Sequence, residues 1–426
     1  MIGAYVADLD MIKLDLYRGY DYTEVIHQSI LFYEAQRSGD IPEETNRIPY
    51  RGDSALDDQG FYGEDLTGGW YDAGDNVKFG QPMAASMTNL AWGMIQFEDA
   101  YRAANAWNYG LDGIRWAANY FVKCHVEDNK FYYQVGNPGL DHSYWGRPEE
   151  MTAERPALMI NSSVPGSDIA GDTAAALAVA SIIFSTSDPA YAAILLNHAE
   201  ILFEFAINYP GNHPANGYYQ PTEYGDELGL AACWLYLATG NELYLQNAED
   251  LYVAHRLFRK SWAYGWSAKN PAVQVLLYQI TGKIKYYNSL TNYVDSWLPN
   301  ATLPYTPGGL VHRHDWGSLR YSANTAFIAL IAAENGVKTA EYQDFAKAQI
   351  HYMLGDSGRS YVIGYGVNPP DRPHHRSSSC PDQPSACNWS SYGYDGPNPQ
   401  VLYGGLVGGP DINDYWTQSR FETQTP

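Results

Sequence analysis

The chain has 426 residues, of which 45% are apolar and only 17% charged, so it can bury a large core and is neither disordered nor a long coiled coil. A formal charge of −22 argues against nucleic acid, whose phosphates it would repel, and against anionic membrane surfaces. Such a surface suits a neutral partner and keeps a protein soluble outside the cell.

Apolar spacing predicts helices over residues 24–37, 86–101, 111–122, 173–184, 191–207, 226–238, 242–258, 272–281, 322–333 and 341–354. Several, such as the run Ala174-Ala175-Ala176-Leu177-Ala178-Val179-Ala180, are apolar nearly all round, as a helix covered on two sides must be. Thr239-Gly240-Asn241 and Asn335-Gly336 read as helix ends. Alternating strand patterns are scarce. Helices in pairs without a short repeat predict an all-α toroid, one layer lining the inside and one covering it. No linker interrupts the pattern, so residues 1–426 read as a single domain.

Between the helices lie long polar, aromatic and Gly/Pro-rich stretches at 42–84, 130–168, 208–224, 259–271, 299–320 and 356–421. Loops of this length are usually functional, and they are expected to gather at one end of the toroid. No apolar stretch reads as long enough to span a membrane. The N-terminus lacks the basic region and apolar run of a signal peptide. Sequons at Asn161, Asn300 and Asn388 permit glycosylation. Of the four cysteines, Cys380 and Cys387 are close enough in a Ser/Pro-rich loop for a disulfide, whereas Cys124 and Cys233 read as buried thiols. The chain carries 37 Tyr and 12 Trp against 13 Phe, an excess of rings with a polar handle. Both a sugar-stacking groove and an ordinary Tyr-rich extracellular core fit that excess.

Three constellations could carry chemistry. In Gly68-Gly69-Trp70-Tyr71-Asp72-Ala73-Gly74-Asp75-Asn76-Val77-Lys78-Phe79, two carboxylates stand three apart in a glycine-rich turn and can face one small object such as a water. Like charges raise the proton affinity of one member, which suits a general base; a calcium loop or a turn without chemistry fits the same spacing. In Asn368-Pro369-Pro370-Asp371-Arg372-Pro373-His374-His375-Arg376, a stiff loop presents donors able to hold hydroxyls or orient a carboxylate. A metal site or a purely structural loop is the alternative there. His142 with Trp145, Tyr218 with Tyr219, and Trp316 with Arg320 each set a ring near a hydrogen-bonding group, and together they suggest a groove.

The aspartate and histidine segments resemble the two signatures of family 9 glycoside hydrolases, closest to animal members such as those of termites and annelids. Tyr33-Glu34-Ala35-Gln36-Arg37-Ser38-Gly39, Trp145-Gly146-Arg147-Pro148-Glu149, Pro165-Gly166-Ser167-Asp168 and Gly408-Gly409-Pro410-Asp411 match the same family in order. The resemblance implies an (α/α)6 barrel and inverting endo-hydrolysis of β-1,4-glucans such as cellulose. It implies Asp75 as the base, Asp72 as the group that helps hold the water, and His374 and Arg376 at the sugar beside the cleaved bond. His142, Trp145, Tyr218, Tyr219, Trp266, Trp316 and Arg320 match groove positions. It also implies a secreted, monomeric protein that needs no cofactor for chemistry. A structural Ca²⁺ at Asp226 and Glu227 is expected, although Thr222-Glu223 departs from the family's Ser-Gly. The family's general acid is a Glu in an Asp-Arg-x-Asp-Tyr-x-x-Asn-Glu motif. If Arg420 matches its Arg, that acid and the last barrel helix fall beyond Pro426. The expectations this leaves are an altered or truncated end, Glu422 acting as the acid, or a weakened carbohydrate-binding protein on the same scaffold.

Overall fold

The computed structural model describes residues 19–214 and 217–418. Eleven long helices are found among them, and their burial sorts them into two layers. Ser167–Phe184 (α6) buries every residue except Ile182. It packs against Gly80–Gln96 (α2) on one side, Gly225–Thr239 (α8) on the other, and Pro189–Asn208 (α7) behind. That surround is why its sequence is apolar all round. By contrast α7 buries one stripe, with Ala192, Leu195, Ala199, Leu202 and Phe203 facing α6. The alternation continues. The inner α8, Asn270–Thr281 (α10) and Ser318–Glu334 (α12) are covered by Glu242–Ala254 (α9), Ile284–Val294 (α11) and Thr339–His351 (α13). Tyr22–Ala35 (α1) and Trp107–Cys124 (α4) complete the outer layer, and Glu98–Ala103 (α3) and Pro138–His142 (α5) are short connecting helices. The arrangement is that of an (α/α)6 barrel, with five inner and six outer helices among the described residues.

The barrel is filled rather than hollow. Trp92 of α2 meets Trp234 of α8 at 5.4 Å and Phe327 of α12 at 5.2 Å, both edge-on, so non-neighbouring inner helices touch at its centre. The ends follow local chemistry. Asp188 accepts from the Tyr191 amide ahead of Pro189, and Gly240 and Gly282 stop α8 and α10 at φ 67° and 62°.

Three expectations change, and the open tyrosine question is answered in part. Helix α11 is absent from the periodicity reading because its buried positions include Tyr286, Ser289, Thr291 and Tyr293, which read as polar. A small antiparallel sheet of Lys78–Phe79 (β1), His125–Glu127 (β2), Lys130–Val135 (β3) and Ala157–Asn161 (β4) was also not expected. The tyrosine excess serves the core to a large extent. Tyr293 bonds Thr325, Tyr342 bonds Asp295 and Tyr244 bonds Glu200, so their hydroxyls tie one helix to the next. Finally, α6 and α7 are in fact long and apolar enough to cross a membrane, but α6 is 94% buried inside the barrel. Cys380 and Cys387 are bonded, and Cys124 and Cys233 are buried thiols.

One buried ion cluster fixes the loops above β1. Asp58 bonds Lys78 Nζ at 2.7 Å and Arg155 Nε at 2.6 Å, with both Asp58 and Lys78 side chains fully buried. Lys78 also donates to the carbonyls of Leu66 and Gly68, and Arg155 to that of Asn76. Burial alone would raise the Asp58 carboxyl, but the two cations hold it below its ordinary value. Removing one partner strands the others in a dry interior. Asp58→Ala is therefore expected to cost about 3–5 kcal/mol in denaturant unfolding; a loss below about 1 kcal/mol would contradict this account of the cluster.

Candidate active site

The aspartate turn is set by backbone bonds before any side chain acts. The Tyr71 amide bonds the Gln36 carbonyl at 2.7 Å, at the end of α1. Asp72 N–H reaches Val77 O at 3.0 Å and Asp75 N–H reaches Asp72 O at 2.8 Å, closing a tight loop. Ala73 takes the left-handed conformation, φ 48°, and Gln36 Nε2 donates to its carbonyl. Gly74 has a separate reason: a Cβ there would overlap the His374 carbonyl oxygen. Two segments some 300 residues apart in sequence therefore meet backbone to backbone, the Arg376 amide donating to the Gly74 carbonyl at 3.3 Å.

Behind the turn lies Arg376, 2% exposed. Its Nη1 donates to Asp75 Oδ1 at 2.9 Å and to Asp141 Oδ2 at 2.7 Å. Asp75 Oδ2 bonds His142 Nε2 at 3.0 Å, and the Tyr218 hydroxyl bonds His142 Nδ1 at 2.7 Å. Burial works against ionised Asp75, but the His142 bond and the Arg376 charge outweigh it and hold Asp75 below its ordinary value. Asp72 goes the other way. Burial pushes it up to about 7; the Tyr219 hydrogen bond at 2.6 Å opposes this, and the charges of Asp75 and Asp141 add to it. Like-charge repulsion, the cause suggested by the spacing, is thus secondary to burial, and the raised member of the pair is Asp72.

The remaining expected residues take different positions. His142, Tyr218, Tyr219 and His374 stand at the turn. Tyr219 reaches Asp72, and its ring meets Phe79 and Trp266, each at 4.9 Å. Trp266 and Arg320 line a neighbouring 580 Å³ cavity. Trp316 is 40% exposed on the loop before α12, with no described contact to the aspartates. Arg376 and Trp145 are buried rather than open to the groove. Trp145 is 3% exposed: its Nε1 donates to Ser379 Oγ at 2.9 Å, and its ring supports His374 edge-on at 5.2 Å. The exposed ring beside it is Trp389.

One residue escaped the sequence reading, and another, His375 of the histidine segment, was given no role of its own. Asp141 shares Arg376 with Asp75, and no spacing marks it. His375 is buried between the loops, with Nε2 bonding Gln36 Oε1 and Nδ1 accepting from the Ser378 amide. Burial and the nearby Arg51 push His375 down to about 3, so it stays neutral. Asp75, Asp141 and His142 also have ligand atoms within 4.8 Å of one another. The Arg376 guanidinium between the two carboxylates already supplies the positive charge there.

The family model described as Glycosyl hydrolase family 9 matches residues 22–425. The chain belongs to glycosyl hydrolase family 9. The endoglucanase of the termite Nasutitermes takasagoensis shares 49% identity and a TM-score of 0.93, over 96% of this chain and 94% of that one. A C. cellulolyticum cellulase in complex with cellobiose shares 34% identity and a TM-score of 0.90, over 96% and 94%. Endoglucanase B of Cellulomonas fimi is 43% identical over 94% of this chain but only 40% of its own length. This chain spans less than two thirds of that relative and of two further bacterial relatives, at 62% and 64%. Family membership thus covers nearly all of the described barrel.

The Asp72 environment can be tested through stability. A carboxyl at about 7 when folded and 3.8 ordinarily keeps its proton in the folded chain while the unfolded chain releases it. Raising the pH through that window therefore favours unfolding, and the loss is constant above it. Asp72→Asn is expected to gain melting temperature over the parent progressively from pH ~4 to ~7 and to hold that gain at higher pH. A difference independent of pH would contradict the raised value.

Proposed function

We propose that this family 9 chain is an endo-β-1,4-glucanase that hydrolyses cellulose-type glucans with inversion at the anomeric carbon. The observation that carries the reading is the Asp72/Asp75 turn, with one carboxylate held ionised and the other holding a proton at slightly acid pH. Inversion needs a base that takes a proton from water as the water attacks the anomeric carbon, and an acid that protonates the leaving oxygen. Asp75 is the base, its charge kept available by Arg376 and His142. Asp72, fixed by Tyr219, orients the same water. His374 holds the sugar at the cleaved bond, and Arg376 acts from behind Asp75. His142, Tyr218, Tyr219, Trp266, Trp316 and Arg320 form the groove, with rings for sugar faces and polar tips for hydroxyls. Glu422, the acid candidate from the sequence, lies outside the described residues.

The acidic charge and the Cys380–Cys387 bond support a secreted protein, since disulfides persist in oxidising compartments. We read the barrel as one catalytic unit acting as a monomer. Asp75→Asn is expected to keep cellotetraose binding by calorimetry and to lose at least about 10²-fold in turnover by reducing-sugar assay; undiminished turnover would overturn the assignment.

A structural Ca²⁺ fits beside α8. Asp226 Oδ1 and Glu227 Oε2 are buried without a hydrogen-bond partner, the kind of oxygen a hard cation takes. Burial, then the charges of Asp226 and Asp172, pushes Glu227 well above its ordinary value, as expected for a carboxyl lacking its counter-ion. The neighbouring Asp172 is matched by Lys269 at 3.1 Å. Asp226 and Glu227 would hold the ion, which would supply folding energy and no chemistry. Chelation is expected to lower the melting temperature of the parent but not of an Asp226→Asn/Glu227→Gln variant. Equal effects on both would exclude this site.

A further inference from the structure

Positive charge is scarce here: 26 Lys and Arg against 48 Asp and Glu. Many of the basic side chains are already matched: Arg37 with Asp112, Arg51 with Glu149, Arg115 with Asp188, Lys283 with Glu249 and Lys338 with Asp295. Among the described residues, Arg256, Arg259, Lys260, Arg313 and Arg320 have no such carboxylate, and they are neighbours in space. Four of them line the 580 Å³ cavity beside the aspartate turn. The fifth, Arg313, lies 4.5 Å over the ring of Trp262, which lines it too. Arg313 Nε and Arg320 Nε are buried without a hydrogen-bond partner. The single carboxylate in the wall is Glu223, raised above its ordinary value first by burial and then by the Asp226 charge, with His255 and Arg259 opposing; Arg259 makes no ion pair with it.

The display is built, not incidental to a floppy loop. Arg256, Arg259 and Lys260 leave the turn that follows α9, where the Leu257 amide bonds Tyr252 O at 2.9 Å and Arg259 N–H bonds Arg256 O at 3.0 Å. Leu257 is fully buried, and Gln274 Nε2 holds its carbonyl at 2.7 Å. The same cavity has a sugar platform. Trp262 is 50% exposed and held edge-on by Tyr321 at 4.9 Å. It is continuous with the reaction site, because Trp266 in its wall meets Tyr219, which bonds Asp72. A volume of 580 Å³ falls within the range of about 300–1,000 Å³ typical of ligand sites.

A neutral glucan would leave these cations solvated and unmatched. We propose that the cavity takes a carboxylate-bearing sugar unit, so that the substrate class extends to acidic β-1,4-glucans in preference to neutral ones. The inference rests on the glucanase reading above. Arg256, Arg259 and Lys260 supply the field that draws the carboxylate in, Arg320 lies at the inner end, and Trp262 carries the ring.

The test compares kcat/KM on carboxymethyl cellulose and on neutral hydroxyethyl cellulose of matched chain length. The parent and an Arg256→Gln/Arg259→Gln/Lys260→Gln variant are each measured at low salt and at about 0.3 M, where screening reaches within the cavity. In the parent the acidic-to-neutral ratio should exceed that of the triple variant by on the order of 5-fold and should fall with salt; the triple variant's ratio should be insensitive to salt. Arg259→Lys, which keeps the charge and the fold, should retain the parent ratio and its salt dependence. Equal ratios in parent and triple variant, or a parent ratio unmoved by salt, would overturn the proposal. A parent that cleaves neither polymer would instead overturn the glucanase reading itself.

Discussion

The site depends on one buried guanidinium. Arg376 bonds Asp75 and Asp141 with a single nitrogen, so one cation compensates two carboxylates that would otherwise repel each other in a dry interior. The bond also joins two loops distant in sequence, the aspartate turn and the histidine loop. Their backbones can touch only because position 74 has no side chain. His375 adds a neutral clamp to Gln36 at the same seam. Charge compensation and loop closure are therefore the same contact, and Asp75 keeps its charge only where the loops are joined.

That closure divides the labour of two similar side chains. Asp75 receives both a guanidinium and an imidazole, which together exceed its burial penalty. Asp72 receives only a phenol, which does not. Three residues apart on one turn, one is held below the ordinary carboxylate value and the other raised to about 7, mainly because of what packs behind each and only secondarily because of their charges on each other.

The barrel supplies the rigidity on which this depends. Its inner helices are apolar on every face, and Trp92 closes the centre across three of them. Between the layers, tyrosines bury their rings while their hydroxyls bond the next helix. On the loop end, the Asp58–Lys78–Arg155 cluster ties the aspartate segment to the sheet beneath it. Beside it, unpaired cations collect around a cavity in an otherwise acidic protein. Local charge and global charge thus have opposite signs, and within about a Debye length, roughly 8 Å, the local one governs.

Much of this was legible in the chain. Periodicity located ten of the long helices, because a stripe or a run of apolar residues reports directly which faces are covered. The two signature segments named the family, and the short Cys380–Cys387 spacing marked the disulfide. Helix α11 was hidden because tyrosine reads as polar until its hydroxyl has a partner. The short strands were hidden because they owe their pairing to one another rather than to their own pattern. Of the candidate site residues named from sequence, Asp72, Asp75, His142 and His374 stand together at the turn and Trp145 and Arg376 are buried behind it, whereas Asp141 was not named and His375 was given no role of its own. Sequence order determines which chemical groups are present and which helix faces are apolar. Which carboxylate keeps its charge, and which arginine meets an acid and which stays unpaired, was decided only by the tertiary structure. Those properties are set by distance and burial, which residues far apart in the chain acquire only on folding.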